Sequence, residues 1–145
     1  MITIVCDTNV LVSALLNPKS VSGQILRWVV ESRIELALTP HLEDELRRVL
    51  AYPRIKKILA RSWNDDDFSR FTNALVALAS PVPDVEPEEN WIERDPDDDW
   101  VIQCALTAAA DMIVTGDDDL LILGVVMGIP ILSPSAFVAG VSSPV

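Results

Sequence analysis

Aspartates follow two of the predicted buried strands at the point where each strand ends. Asp7 comes directly after the apolar stretch 2–6, and Asp117 follows the short apolar stretch 112–114. A carboxylate in such a position either caps the next helix or belongs to a functional site, and for Asp7 alone the two interpretations are equally good. The carboxyl ends of parallel strands meet at one edge of a sheet, so we expect the two side chains to lie close together.

Several carboxylates held together without a counter-ion raise one another's pKa, so a cation is their natural partner. Hard oxygen ligands, in a chain with few His or Cys residues, favour Mg²⁺ or Mn²⁺ over zinc. The only histidine, His41, lies in the first turn of a predicted helix, and we expect it to cap or pack rather than to bind metal.

A third acid is predicted from the helix that begins within the acidic run 95–99. Asp98 lies almost on the buried direction of this helix, whereas Asp97 and Asp99 fall about 90° or more to either side. We therefore expect Asp98 to point at the sheet edge and its two neighbours to be solvated acids that complement the helix dipole. The buried direction is defined by Val101, Ile102, Ala105, Leu106 and Ala109.

The helix predicted after Thr39 offers further acids. Its apolar stripe places Asp44 outward and leaves Glu43 and Glu45 on opposite sides of the stripe. Helical geometry therefore does not choose between these two glutamates.

The elements that must position these acids alternate between strand and helix, which predicts an α/β domain around a parallel sheet. We expect one domain over residues 1–138 and a flexible tail over 139–145. Strands are predicted at 2–6, 34–38, 112–114 and 128–132, with a short edge strand and loop within 80–90. Helices are predicted at 10–16, 21–30, 40 to about 52, 65–79 and 95–110, with a final turn from 133.

Composition limits the function classes. The chain has 145 residues, is half hydrophobic and carries a net charge of −11, which by itself disfavours non-specific binding to nucleic acid or anionic membranes. Cys6 and Cys104 lie in apolar surroundings without metal-like spacing, so we expect reduced core residues. With no apolar run of signal or membrane-spanning length, we expect a cytoplasmic protein that does not enter a membrane.

The positive charge is concentrated in one segment, residues 47–61, which contains no acid and which we call the basic segment. It could hold the phosphates of a nucleic acid or simply form a solvated face, and the sequence favours neither. Its candidate RNA-binding residues are Arg47, Arg48, Arg54, Lys56 and Lys57.

These motifs together resemble one known family. Asp7-Thr8-Asn9 ends the first strand, Thr39-Pro40 and Glu45-Leu46 mark the next helix, Asp98 opens a later helix, and Thr115-Gly116-Asp117 follows a buried strand. The pattern resembles the PIN-domain nucleases, in particular the toxin components of type II toxin–antitoxin systems, and it spans almost the whole chain.

The resemblance implies a Rossmann-like three-layer α/β/α sandwich with a short parallel sheet. It also implies Mg²⁺- or Mn²⁺-dependent hydrolysis of single-stranded or structured RNA, a small antitoxin partner and a homodimer. Carried over, the catalytic and metal-binding acids are Asp7, Glu45, Asp98 and Asp117. Asp119 would be a further metal ligand or a group supporting one, and Asn9 and Thr115 would be supporting polar residues.

Other functions compete with this interpretation. The acids cannot distinguish ribose from deoxyribose, so a structure-specific DNA nuclease is the nearest alternative. A phosphoacceptor signalling domain would need a lysine near the last strands, but the final lysine is Lys57. A dehalogenase-type phosphatase would have an aspartate where this chain has Asn9. A catalytically silent interaction module is disfavoured because all four acids are retained.

Overall fold

A computed structural model describes residues 1–61 and 63–141 of the chain. The described residues form a six-stranded sheet in the order β3-β2-β1-β4-β6-β5. All neighbouring strands are parallel except β5, which runs antiparallel to β6 at the edge. The strands are β1 (Thr3–Cys6), β2 (Glu35–Leu38), β3 (Ser80–Pro81), β4 (Met112–Val114), β5 (Val125–Val126) and β6 (Ile129–Leu132).

The sheet lies between two helical layers because its central strands are apolar on both faces. In β1, Ile4 and Cys6 join the core on one face, whereas Val5 joins the core on the other. The helices are α1 (Thr8–Leu16), α2 (Val21–Val30), α3 (Pro40–Leu50), α4 (Pro53–Leu59), α5 (Asp65–Leu78), α6 (Pro96–Ala108), α7 (Asp118–Leu121) and α8 (Pro134–Gly140). This arrangement confirms the predicted α/β/α sandwich around a mostly parallel sheet.

Local capping explains where the helices that matter for the site begin. Thr39 accepts a hydrogen bond from the N–H of Leu42, and Pro40 occupies the first helical position of α3. Asn64 and Asp67 form a reciprocal capping box at the start of α5. Asp95 accepts from the N–H of Asp97 at the start of α6.

Three short elements are absent from the sequence prediction. The sequence predicts a helix that ends at about residue 52, whereas α3 ends at Leu50 and Pro53 occupies the first position of the new helix α4, where its missing N–H has no consequence. Helix α7 and strand β5 are too short to give a periodic pattern. At the C-terminus, α8 includes residues 139 and 140 of the segment predicted as a tail, and 142–145 lie outside the described residues.

Both cysteines are free and buried, as predicted, and burial raises the pKa of each thiol to about 12. They are therefore inert members of the core at neutral pH. Within the described residues, no helix combines the length and the apolarity needed to cross a membrane.

Candidate metal centre

Asp7 and Asp117 lie at the carboxyl end of the two central strands. β1 and β4 are parallel neighbours, with Cys6 opposite Val114, and the N–H of Asp7 donates to the carbonyl of Val114 at 3.0 Å. Asp7 therefore follows directly on the last rung of the ladder, while Asp117 lies three residues beyond β4. Strand pairing brings the two carboxylates to the same edge of the sheet, as the sequence predicts.

Asp98 completes the group from the first turn of α6. One carboxylate oxygen from each of Asp7, Asp98 and Asp117 lies within 4.8 Å of the other two. We call these residues the acidic triad. Asp7 and Asp98 are buried, and Asp117 is half-buried. The periodicity argument that singled out Asp98 among the acids of this run is therefore consistent with where its side chain lies.

The triad fits a divalent cation. The Oδ2 atom of Asp98 is buried and has no hydrogen-bond partner, which is costly for a carboxylate oxygen away from water. Three convergent carboxylates of this kind are a donor set for a hard cation with oxygen ligands. Asp7, Asp98 and Asp117 could thus hold a divalent metal at this point.

A chain of hydrogen bonds fixes the two strand-end acids. The hydroxyl of Thr115 donates to Asp7 Oδ2 at 3.0 Å, and it accepts from the N–H of Asp117 at 3.0 Å. Asp117 Oδ1 in turn accepts from the N–H of Asp119 at 2.9 Å. Thr115 is fully buried, so it serves as a rigid link between the two carboxylates.

The structure also addresses the ambiguity about Asp7. Asp7 occupies the N-cap position of α1, but its side chain makes no capping hydrogen bond. The nearby N–H groups of Thr8 and Asn9 lower its pKa only as secondary influences. Its carboxylate is directed to Thr115 and the triad rather than to the helix end.

The pKa values of the acids reflect their crowding. Burial raises the pKa of Asp98 to about 8, and the charges of Asp7, Asp95 and Asp117 add to the effect. Burial is also the main reason that the pKa of Asp7 is raised; the hydrogen bond from Thr115 opposes this rise and the charge of Asp117 adds to it. Without a cation, Asp98 therefore keeps at neutral pH a proton that an ordinary aspartate would have lost.

Glu45 lies beside the triad but outside the set of three convergent acids. Burial raises its pKa to about 7, followed by the charges of Asp97 and Asp7, while Arg48 lowers it. Glu43, the alternative left open by helical geometry, forms an ion pair with Arg47 at 3.1 Å. The electrostatic coupling to Asp7 makes Glu45, not Glu43, the glutamate of α3 that faces the site.

The other expected site residues are more peripheral. Asp119 is not among the convergent acids, and its Oδ1 lies 3.5 Å from the guanidinium of Arg94. Asn9 is exposed and lines a cleft that it shares with Asp117. Thr115, by contrast, contacts Asp7 directly.

One expectation about the acidic run is wrong. Asp97 is partly exposed, but Asp99 is as buried as Asp98, and its Oδ1 accepts from the N–H of Ile92 at 2.8 Å. The loop before α6 covers a flank of the helix that its periodicity alone assigns to solvent. No local sequence pattern predicts this burial, because it depends on where a long loop packs against the fold.

An aromatic contact between α3 and α6 also escapes the sequence analysis. The ring of His41 stacks on Trp100 with centroids 4.1 Å apart and planes 7° from parallel. His41 Nε2 lies 3.5 Å from Asp97 Oδ1. His41 thus packs, as expected, and it joins the two helices that carry Glu45 and Asp98.

The basic segment is only partly available to a ligand. Arg47 is engaged by Glu43 and also donates to Asn73 at 3.0 Å, and Lys56 lies 3.8 Å from Asp65. In the described part of the chain, the exposed side chains of Arg48, Arg54 and Lys57 form no ion pair. Arg48 is the member whose charge reaches Glu45.

Comparisons with known proteins agree with this fold. An uncharacterized protein of Methanocaldococcus jannaschii, MJ1680, is 33% identical over 123 residues, which cover 84% of this chain and 75% of that protein. The crystal structure of PAE2754 from Pyrobaculum aerophilum has the same fold, with a TM-score of 0.62 at 15% identity over 97% of this chain and 90% of that one. The family model described as PIN domain matches residues 3–119, a span that contains all the acids discussed above. The chain therefore belongs to the PIN-domain nuclease family.

Proposed function

We propose that this protein is a Mg²⁺- or Mn²⁺-dependent endoribonuclease that hydrolyses phosphodiester bonds of single-stranded or structured RNA. The observation that carries the proposal is the convergence of the acidic triad, with Asp98 Oδ2 buried and unpaired. Family membership supports a nuclease that uses a divalent metal, and the retention of the acids argues against a silent interaction module.

The residues of the site divide the chemistry between them. Asp7, Asp98 and Asp117 would hold the cation. A divalent cation supplies a bound water of lowered pKa and stabilises the leaving oxygen. Burial raises the pKa of Glu45 above that of an ordinary glutamate, and burial persists when the metal is bound, so its carboxylate is suited to accept the proton of the attacking water. Thr115 holds Asp7 in place through its hydroxyl.

Substrate binding would use the exposed cations of the basic segment. A net charge of −11 repels nucleic acid overall, but Arg48 lies near Glu45 and can hold a phosphate beside the site. Arg54 and Lys57 on α4 are exposed and form no ion pair within the described residues, so they are available to further phosphates. The proposal thus places the phosphates along α3 and α4 and the scissile bond over the triad.

The experiment compares purified wild-type protein with Asp117→Asn and Asp118→Asn. Asp118 is an exposed neighbour in α7, which makes it a matched control. We expect wild type and Asp118→Asn to cleave RNA in Mg²⁺ or Mn²⁺ and to be inactive in EDTA. Asp117→Asn should lose more than about 100-fold in rate, because even groups that only support a metal ligand contribute 10–100-fold.

The same experiment separates the alternatives. Single-stranded RNA, an RNA hairpin and DNA of the same sequence are offered to each protein. Cleavage of DNA but not RNA would replace the proposal with the DNA-nuclease alternative. Equal rates for wild type and Asp117→Asn would refute the assignment of the metal centre.

We further propose that the protein is the toxin of a toxin–antitoxin pair in the cytoplasm, with a small antitoxin partner and a homodimer as its assembled form. The sequence motifs that resemble toxin PIN domains support this role. Exposed apolar residues in and beside the edge strand β5, among them Ile122, Val125 and Met127, offer a surface that a partner could cover. Expression in a bacterial host should arrest growth, and Asp117→Asn should not; growth arrest by both would contradict a nuclease toxin.

A further inference from the structure

A cleft of about 290 Å³ adjoins the acidic triad and shares Asp117 with it. Asn9 and Ser13 on α1 and Ser22 on α2 line one part of this polar cleft. The cleft is open at Gly116, beside Asp117, where a Cβ atom would meet nothing within 4 Å. Anything bound in the polar cleft would therefore lie next to the carboxylates of the proposed metal centre.

The polar side chains of the cleft have no partner within the protein. In the described part of the chain, the amide of Asn9 and the hydroxyls of Ser13 and Ser22 form no hydrogen bond. Ser22 is nevertheless buried, with only 8% of its surface exposed. Asn9 and Ser13 are exposed and Ser22 lies deeper, so the three residues line one small space and keep donors and acceptors available for a ligand.

The charge of the cleft decides what class of group it fits. Its lining contains no Lys or Arg, and its one ionisable residue is the carboxylate of Asp117. A phosphate would be repelled there, whereas an uncharged group with several donors and acceptors would be bound. Val10 and Pro134 provide apolar contacts, and the volume lies near the lower end of the range of about 300–1,000 Å³ typical of small-molecule sites.

The position of the cleft relates it to the path of a nucleic acid. It is built from α1, α2, the turn after β4 and the start of α8, whereas the basic segment follows β2 on the other side of β1. The triad lies between the two surfaces. A nucleic-acid strand whose phosphates contact Arg48 and whose scissile bond lies over the triad would continue into the polar cleft.

We propose that the polar cleft binds the ribonucleoside adjacent to the scissile phosphate and recognises its 2′-hydroxyl through Ser13 and Ser22. The 2′-hydroxyl both donates and accepts, as these serines do, and it is the group by which a protein distinguishes RNA from DNA. This inference rests on the proposed function and gives it a physical basis for choosing RNA.

The test uses the double variant Ser13→Ala and Ser22→Ala, with Ser135→Ala as control, because Ser135 is an exposed serine of α8 that does not line the cleft. Binding of a labelled RNA oligonucleotide and of DNA with the same sequence is measured by fluorescence anisotropy in EDTA, with the Asp98→Asn background, which prevents cleavage and leaves the lining of the cleft intact. Affinity for Mn²⁺ alone is measured in the native background by calorimetry.

We expect the double variant to bind RNA about tenfold more weakly than its parent, as the loss of two neutral hydrogen bonds predicts, with DNA binding and Mn²⁺ affinity unchanged. A single 2′-deoxy substitution next to the cleavage site should weaken the parent several-fold and leave the double variant unaffected. Ser135→Ala should behave as the parent.

Three results would overturn the inference: an unchanged RNA preference in the double variant, an equal loss for RNA and DNA, or a loss produced by an abasic ribose but not by the 2′-deoxy sugar. A failure of the proposed function looks different. In that case the native protein would bind Mn²⁺ or RNA too weakly to detect, or would cleave neither nucleic acid, before the serines are changed.

Discussion

Replacing Asp98 with asparagine should stabilise the metal-free protein while it abolishes metal binding. Asp98 is a buried carboxyl group whose pKa is raised from 3.8 to about 8, chiefly by burial and then by the charge of Asp7. Ionising it in the folded state is therefore unfavourable. Asparagine has nearly the same shape, carries no charge, and can donate its amide to a neighbouring carboxylate.

The pKa shift of Asp98 determines whether folding stability rises or falls with pH, and over which pH range. A carboxyl group with a raised folded pKa contributes stability that is fully present below its unfolded pKa, near 3.8, and is lost as the pH rises to about 8. At about 1.4 kcal/mol per pH unit, the whole shift corresponds to roughly 6 kcal/mol. Because Asp98 is coupled to Asp7, whose pKa is also raised, the two groups share the proton and the measured loss should be smaller, about 2–4 kcal/mol.

The assay is thermal and urea-induced unfolding of wild type and Asp98→Asn in EDTA at pH 5, 7 and 9. Wild type should lose stability over this range relative to the variant, and at pH 9 the variant should melt about 5–15 °C higher. Adding Mn²⁺ should stabilise wild type and leave Asp98→Asn unchanged. Asp118→Asn makes the same substitution at an exposed residue, so its stability should match that of wild type at each pH, with and without Mn²⁺.

Two outcomes would refute this reasoning. If Asp98→Asn were less stable than wild type in EDTA at pH 9, the negative charge of Asp98 would be stabilised by contacts other than those that the structure shows. If Mn²⁺ stabilised the variant as much as wild type, Asp98 would not contribute to the metal centre.

Two further predictions concern the surroundings of the site. Arg48→Ala should raise KM for RNA about 3–10-fold at low salt with little change in kcat, and it should reduce the salt dependence of KM. The control is Arg33→Ala, because Arg33 lies before β2 at the opposite edge of the sheet. Equal effects of the two substitutions would refute a local phosphate contact. His41→Ala should weaken Mn²⁺ binding about tenfold by loosening α3 against α6, whereas His41→Phe should keep the stack on Trp100 and most of the affinity. Equal calorimetric affinities for wild type and His41→Ala would show that the stack does not position the site.

The acids that sequence reasoning placed correctly are those whose position depends on local geometry. Asp7 and Asp117 follow buried strands, and parallel pairing alone brings such positions to one edge. Asp98 is marked by the periodicity of its own helix. In each case the relevant constraint lies within a few residues of the acid, so the chain itself carries the information.

The residues that escaped prediction depend on contacts between distant segments. Glu43 and Glu45 are equivalent on the helical wheel, and only the packing of α3 beside α6 distinguishes them. Asp99 is buried because the preceding loop returns over it and donates the N–H of Ile92. A single sequence does not show where a loop of that length will lie.

Hydrogen bonds within the protein hold two members of the triad in place. The hydroxyl of Thr115 and the backbone N–H of Asp119 fix Asp7 and Asp117 before any cation arrives, so the repulsion among the carboxylates is incurred when the chain folds. A cation that enters then relieves an existing strain and does not need to assemble its own ligands. The raised pKa values of Asp7, Glu45 and Asp98 are the signature of that strain, and they should fall together when metal binds. Proton release on Mn²⁺ binding, measured by calorimetry in buffers of different ionisation enthalpy, should therefore be substantial at pH 7 and smaller at pH 9; binding without proton release at pH 7 would contradict this account.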